Sequence, residues 1–206
     1  MASGSFTPNI KVERVISFSD AVFAFAITLM ALSIDIPDLP THLTQSELLD
    51  KLYGLYPQFE SYIISFAVIA IFWVSYHQVF NHIKGSHITM VYLNLLFLLL
   101  VTLLSLSTSL VINYGTYQIP YVIYCIIVIM TSSLLATIWW HATRDKRLVD
   151  KNLHPLFIKG VLVSLISIPI VFTISIIISF VDLQIGQYFW LIIAPLNMTI
   201  KRRYKH

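Results

Sequence analysis

Arg14-Val-Ile-Ser-Phe18-Ser19-Asp20-Ala-Val-Phe-Ala-Phe25-Ala-Ile-Thr28-Leu-Met-Ala-Leu32-Ser-Ile-Asp35 opens the first apolar run of the chain. Beyond Asp20 it holds no charge until Asp35, and Pro37 ends it. A helix over roughly 15–36 is long enough to cross a bilayer core, which needs about 20 residues. Asp20 inside the run, and the lack of a small-residue cleavage site before a soluble domain, argue against a secretory signal. The remaining chain repeats the theme. Further apolar runs are expected at about 58–80, 88–113, 118–141, 156–181 and 185–200, long and continuous rather than alternating as barrel strands are. The expected fold class is therefore all-α: one six-span transmembrane domain over residues 1–206.

Composition agrees. Of 206 residues, 57% are hydrophobic and 11% charged, against about a quarter charged in soluble domains. The net charge is +3 with no concentrated basic face, so a nucleic-acid partner is not expected. The one cysteine, Cys125, lies in an apolar run and reads as a small buried hydrophobe. Twelve of the thirteen Lys and Arg fall on one side of a six-span topology, and only Lys51 falls on the other. The positive-inside rule then puts both termini in the cytoplasm. The outer side carries Asp35, Asp38, Glu47, Asp50, Glu60 and Asp182, and Asp35 at the mouth would concentrate cations.

Smaller features follow. Thr44-Gln-Ser-Glu47 before Leu48-Leu49 has the form of a capping box and predicts a short outer interfacial helix. Trp139 with Trp140, and Tyr188 with Trp190, fit interfacial aromatic belts. Pro169 should kink the fifth span. Ser and Thr are frequent in spans 3 and 5, where small hydroxylated residues let helices pack closely.

Ionisable groups at membrane depth point to function. Arg14 and Asp20, six residues apart, do not face each other on a helix, so each needs a partner elsewhere. His77 and Asn94 sit at similar depth, and a network of Arg14, Ser19, Asp20, His77 and Asn94 would satisfy them all. Such a network is equally expected as interhelical glue. Ala21, Phe25, Thr28, Leu32 and Asp35 share one helix face. Thr28 either meets a water-filled path or bonds back to the Ala24 carbonyl. No phosphate loop, nucleophile elbow or zinc-helix motif is present, so no enzyme, metal or cofactor is expected.

The first run reads R-x-x-x-F-S-D followed by Ala21-Val-Phe-Ala-Phe25-Ala-Ile-Thr28. With Phe72-Trp73-x-x-x-His77-x-x-Phe80 and Leu93-Asn94-Leu-Leu-Phe97, it resembles the transmembrane protein 175 family of potassium channels. The resemblance covers the first half of the chain. It implies a homotetramer of six-span subunits in the plasma membrane, with helix 1 of each lining a central pore. It also implies that side chains of helix 1, in place of a backbone-carbonyl filter, form the constriction. The constriction position falls on Phe25, where isoleucine or leucine is usual. Leu32 would add a second apolar layer, and Thr28 matches the threonine associated with potassium preference. Phe18 belongs to the motif that, with the polar network, anchors helix 1. The expected function is a potassium-permeable channel. Alternatives are a proton-coupled transporter or proton leak through Asp20 and His77, or a membrane scaffold that conducts nothing.

Overall fold

The computed structural model describes residues 11–34, 44–85, 87–144, 148–150 and 152–204. They form α1 (Val12–Ala31), α2 (Gln45–Tyr53), α3 (Tyr56–Phe80), α4 (Ile88–Tyr114), α5 (Gln118–Thr143), α6 (Pro155–Ser179), α7 (Leu183–Phe189) and α8 (Ile193–Arg203), with a 3-10 turn at Trp190–Ile192 between the last two. Five of these (α1, α3, α4, α5 and α6) are long and apolar enough to cross a membrane. Their 20 to 27 residues correspond to about 30–40 Å at 1.5 Å per residue.

Local chemistry explains the boundaries. Pro57 and Pro155 occupy the first turns of α3 and α6, where a missing N–H costs nothing. His87, His154 and Asp182 cap α4, α6 and α7 by accepting from backbone N–H groups. Thr44 and Glu47 close the capping box of α2. The first helix ends earlier than its apolar run. Leu32 is its C-cap, and Ser33 just beyond is hydrogen-bonded to Ser109 of α4.

The last apolar run is not one helix. It divides at 190–192 for two reasons. Pro195 has no N–H for a helical partner, and α8 restarts at Ile193 with it in the first turn, where none is needed. At the other end, the Gly186 carbonyl is one of the last four of α7, which lack helical partners. Tyr121 Oη and Ser175 Oγ donate to it at 2.7 and 2.6 Å. Glycine is required there, since a Cβ would lie 2.8 Å from that of Ser179.

Successive long helices pack side by side: α1 on α3 and α4, α4 on α5, and α5 on α6. Their interface is sealed by hydroxyls. Pro169 has no N–H for the Leu165 carbonyl, and Ser132 Oγ of α5 donates to that oxygen at 2.8 Å. Ser105 Oγ of α4 donates to the Ala26 carbonyl of α1 at 2.9 Å. The two tryptophan-containing pairs split between surface and core. Trp140 and Tyr188 are exposed, whereas Trp190 is buried and Trp139 is fully buried, donating to the Ile158 carbonyl at 3.0 Å. At the same end the α3–α4 loop meets the α5–α6 loop, through a bridge between Ile83 and Val149 and a 2.5 Å ion pair between Lys84 and Asp150.

Candidate ion pathway on the first helix

The first helix has two contrasting faces. Val15, Ser19, Phe23, Ala26 and Met30 are buried against α3 and α4. Phe18, Ala21, Phe25, Thr28 and Leu32 are exposed. Phe25 is 61% exposed and Leu32 80%, against 1% for Phe23. The fold therefore leaves one apolar stripe of α1 uncovered within the chain.

The buried face carries the polar centre. Ser19 Oγ donates to its own helix at the Val15 carbonyl, 2.8 Å away. It accepts from Tyr76 Oη at 2.7 Å and from Asn94 Nδ2 at 3.1 Å. One hydroxyl donor and two acceptor sites are thus all used. Phe23, Phe80 and Phe97 hold the Tyr76 ring, with centroids 4.2 to 5.8 Å away. One residue on and about 100° around α1, Asp20 Oδ1 accepts from Trp73 Nε1 at 2.9 Å and lies 2.8 Å from His77 Nε2. Trp73 and His77 are four apart on α3, their rings edge to face at 4.6 Å. α1 is therefore fixed to its neighbours by two adjacent residues pointing to different partners.

Of the residues the sequence brings forward, Ser19 joins Asn94 and Asp20 joins His77. Arg14 and Phe18 are exposed, and no hydrogen bond or ion pair joins the Arg14 side chain to any described residue. Its charge points away from the network within this chain. Trp73 and Tyr76 complete the network and were not expected in it. Their signal was present: Trp73 and His77 are spaced i, i+4 on one helix face, and Tyr76 lies beside them. Thr28 does bond back to its helix, but to the Phe25 carbonyl at 3.0 Å rather than to Ala24. Asp35 lies outside the described residues.

A sequence model described as the endosomal/lysosomal potassium channel TMEM175 matches residues 14–104. A potassium channel of Streptomyces collinus is 34% identical over 143 residues, covering 66% of this chain and 67% of that protein. A potassium channel of Chamaesiphon minutus is 32% identical over 142 residues, covering 67% and 70%. The endosomal/lysosomal proton channel TMEM175 of Rattus norvegicus is 34% identical over 145 residues, which are 66% of this chain and 29% of that longer protein. The crystal structure of a lysosomal potassium-selective channel TMEM175 homolog from Chamaesiphon minutus superposes with a TM-score of 0.76 at 24% identity, covering 95% of this chain and 98% of that one. That likeness establishes the fold, and the sequence relatives establish the kinship. The chain is a multi-pass membrane protein of the TMEM175 family, a family of cation channels and not of enzymes.

Proposed function

We propose that this chain forms a potassium-permeable channel in which α1 from each of four subunits lines a central path. The observation that carries the proposal is the uncovered stripe of α1. Phe25, Thr28 and Leu32 lie on one face, span about 10 Å of helix, and find no cover among the described residues. Lipid, a second helix 1 or an aqueous path can face them, and four-fold closure supplies the last two. Thr28 suits the role. Its proton is committed to the Phe25 carbonyl, so the lone pairs of its oxygen remain available to a cation. Four such oxygens replace part of a hydration shell, and potassium sheds water more readily than sodium. Rings of Phe25 and Leu32 above and below gate by dewetting. Four phenyl rings fill more of the path than four isoleucines do. The residues 183–203, taken as α7, the 3-10 turn and α8, supply the sixth crossing at about 30 Å. The membrane is then a plasma membrane with both termini on its cytoplasmic side. Potassium flux from liposomes holding the purified chain tests the proposal; flux no greater than from empty vesicles rejects it.

One observation favours a second reading, proton conduction. His77 Nε2 and Asp20 Oδ1 form a 2.8 Å pair that is 24% and 42% exposed, and such pairs relay protons in membranes. Acidification of liposomes in the absence of potassium, lost in Asp20→Asn, distinguishes it from a potassium path that needs no counter-ion.

A further inference from the structure

At the end of the bundle where α3 and α8 finish and α6 begins, these three helices enclose a groove of about 550 Å³. Its rim carries Lys201 and Arg202 of α8. Both are exposed, and no hydrogen bond or ion pair joins either side chain to any described residue. Among the described residues no carboxylate lines the groove. The rest of the lining is mixed, with Phe157 and Val161 of α6 and Met198 of α8 apolar and Ser164 of α6 polar. Gln78 of α3 offers an amide on the opposite wall. The floor is built deliberately: Gly160 receives the Tyr204 side chain, and a Cβ there would lie 2.7 Å from that of Tyr204. The close approach folds the end of α8 against α6 and gives the groove a closed end.

We propose that this groove holds one anionic phospholipid per subunit, with its phosphate on Lys201 and Arg202 and its acyl chains along Phe157, Val161 and Met198. The mixed lining argues for a lipid over a free phosphate. Two cations stand beside three apolar side chains, which suits an amphiphile, whereas a soluble anion would use only the cations. Basic grooves between membrane helices at this level suit acidic headgroups, because there the charges are near a surface that screens them weakly. The site is separate from the α1 stripe, so its occupancy is independent of the conduction proposal.

Native mass spectrometry of the full chain, released from micelles with equal phosphatidylglycerol and phosphatidylcholine, counts the lipids retained. Phosphatidylglycerol should be retained preferentially. The preference should fall about fivefold in Arg202→Gln and by about that factor again in the Lys201→Gln/Arg202→Gln double variant. A Lys84→Gln/Arg144→Gln control removes the same charge from the same end of the bundle and should keep the preference. The intact particle mass in each spectrum reports folding. Preference unchanged in the double variant, or lost equally in the control, overturns the proposal. So does stoichiometric binding of glycerol 3-phosphate, which would make the rim a soluble-anion site.

Discussion

Ser19 shows how much one small side chain decides at membrane depth. Among the described residues its hydroxyl is the only acceptor for Tyr76 Oη and Asn94 Nδ2, and nothing in hydrocarbon replaces it. Ser19→Ala should therefore destabilise the chain by about 1–3 kcal/mol, the cost of leaving buried donors unpaired. Tyr76→Phe removes a donor without orphaning another group and should cost about 0.5–1.5 kcal/mol. Thermal unfolding in one detergent ranks the two, and the reverse order would reject the hub role of Ser19. Thr28 acts on selectivity instead. Thr28→Ala keeps the helix, since its hydroxyl serves only the Phe25 carbonyl, and should lower potassium preference. An unchanged bi-ionic reversal potential would reject that role. At this scale the sequence was legible where chemistry was unusual, namely a Ser-Asp pair with His and Asn at matching depth. Trp73 and Tyr76 carried only the weaker signal of their spacing beside His77, because aromatic residues in a membrane span are ordinary until a partner is seen. Arg14 was placed in the network by its charge, but the turn of the helix carries it away from Asp20.

The elements follow from caps and breakers, and their predictions concern backbone groups. Ser132 answers the Leu165 carbonyl that Pro169 leaves open. Ser132→Ala should cost about 1–3 kcal/mol, and Pro169→Ala in that background should restore much of it by supplying an N–H. If the second change restores nothing, the two residues are not coupled. The outer helix α2 depends on Glu47, whose carboxyl lies below its ordinary value of 4.5, held there first by the Thr44 hydroxyl and then by the Thr44 backbone N–H. A lowered value means that the cap is fully stabilising above 4.5 and is lost as pH falls through the lowered value. Hydrogen-exchange protection of α2 amides should thus be flat above pH 5 and drop in stronger acid, and Glu47→Gln should blunt the drop. The long spans were readable from hydropathy because each exceeds the bilayer requirement. The last was not readable as a division. Pro195 alone suggests a kink, and the break also needs Tyr121 and Ser175, which converge on Gly186 from two other helices.

At the scale of the whole molecule, the first helix presents two unequal faces. The face of α1 bearing Ser19 is packed to exclusion, while that bearing Phe25 and Leu32 is open. Periodicity marked the face of Phe25 and Leu32 in the sequence, but not that it would stay open, since that depends on where α3 and α4 lie. The proposed tetramer with α1 on its axis would cover that face, and particle images of the purified chain should show four-fold symmetry. The most direct measurement uses the fact that the one native thiol, Cys125, is fully buried. In liposomes holding Phe25→Cys protein, potassium flux is recorded before and after a water-soluble cationic thiol reagent. The account predicts flux above that of empty vesicles before treatment, and its loss once four bulky cations occupy the ring. Flux indifferent to the reagent, with the thiol labelled, would contradict the claim that this face of α1 lines the path.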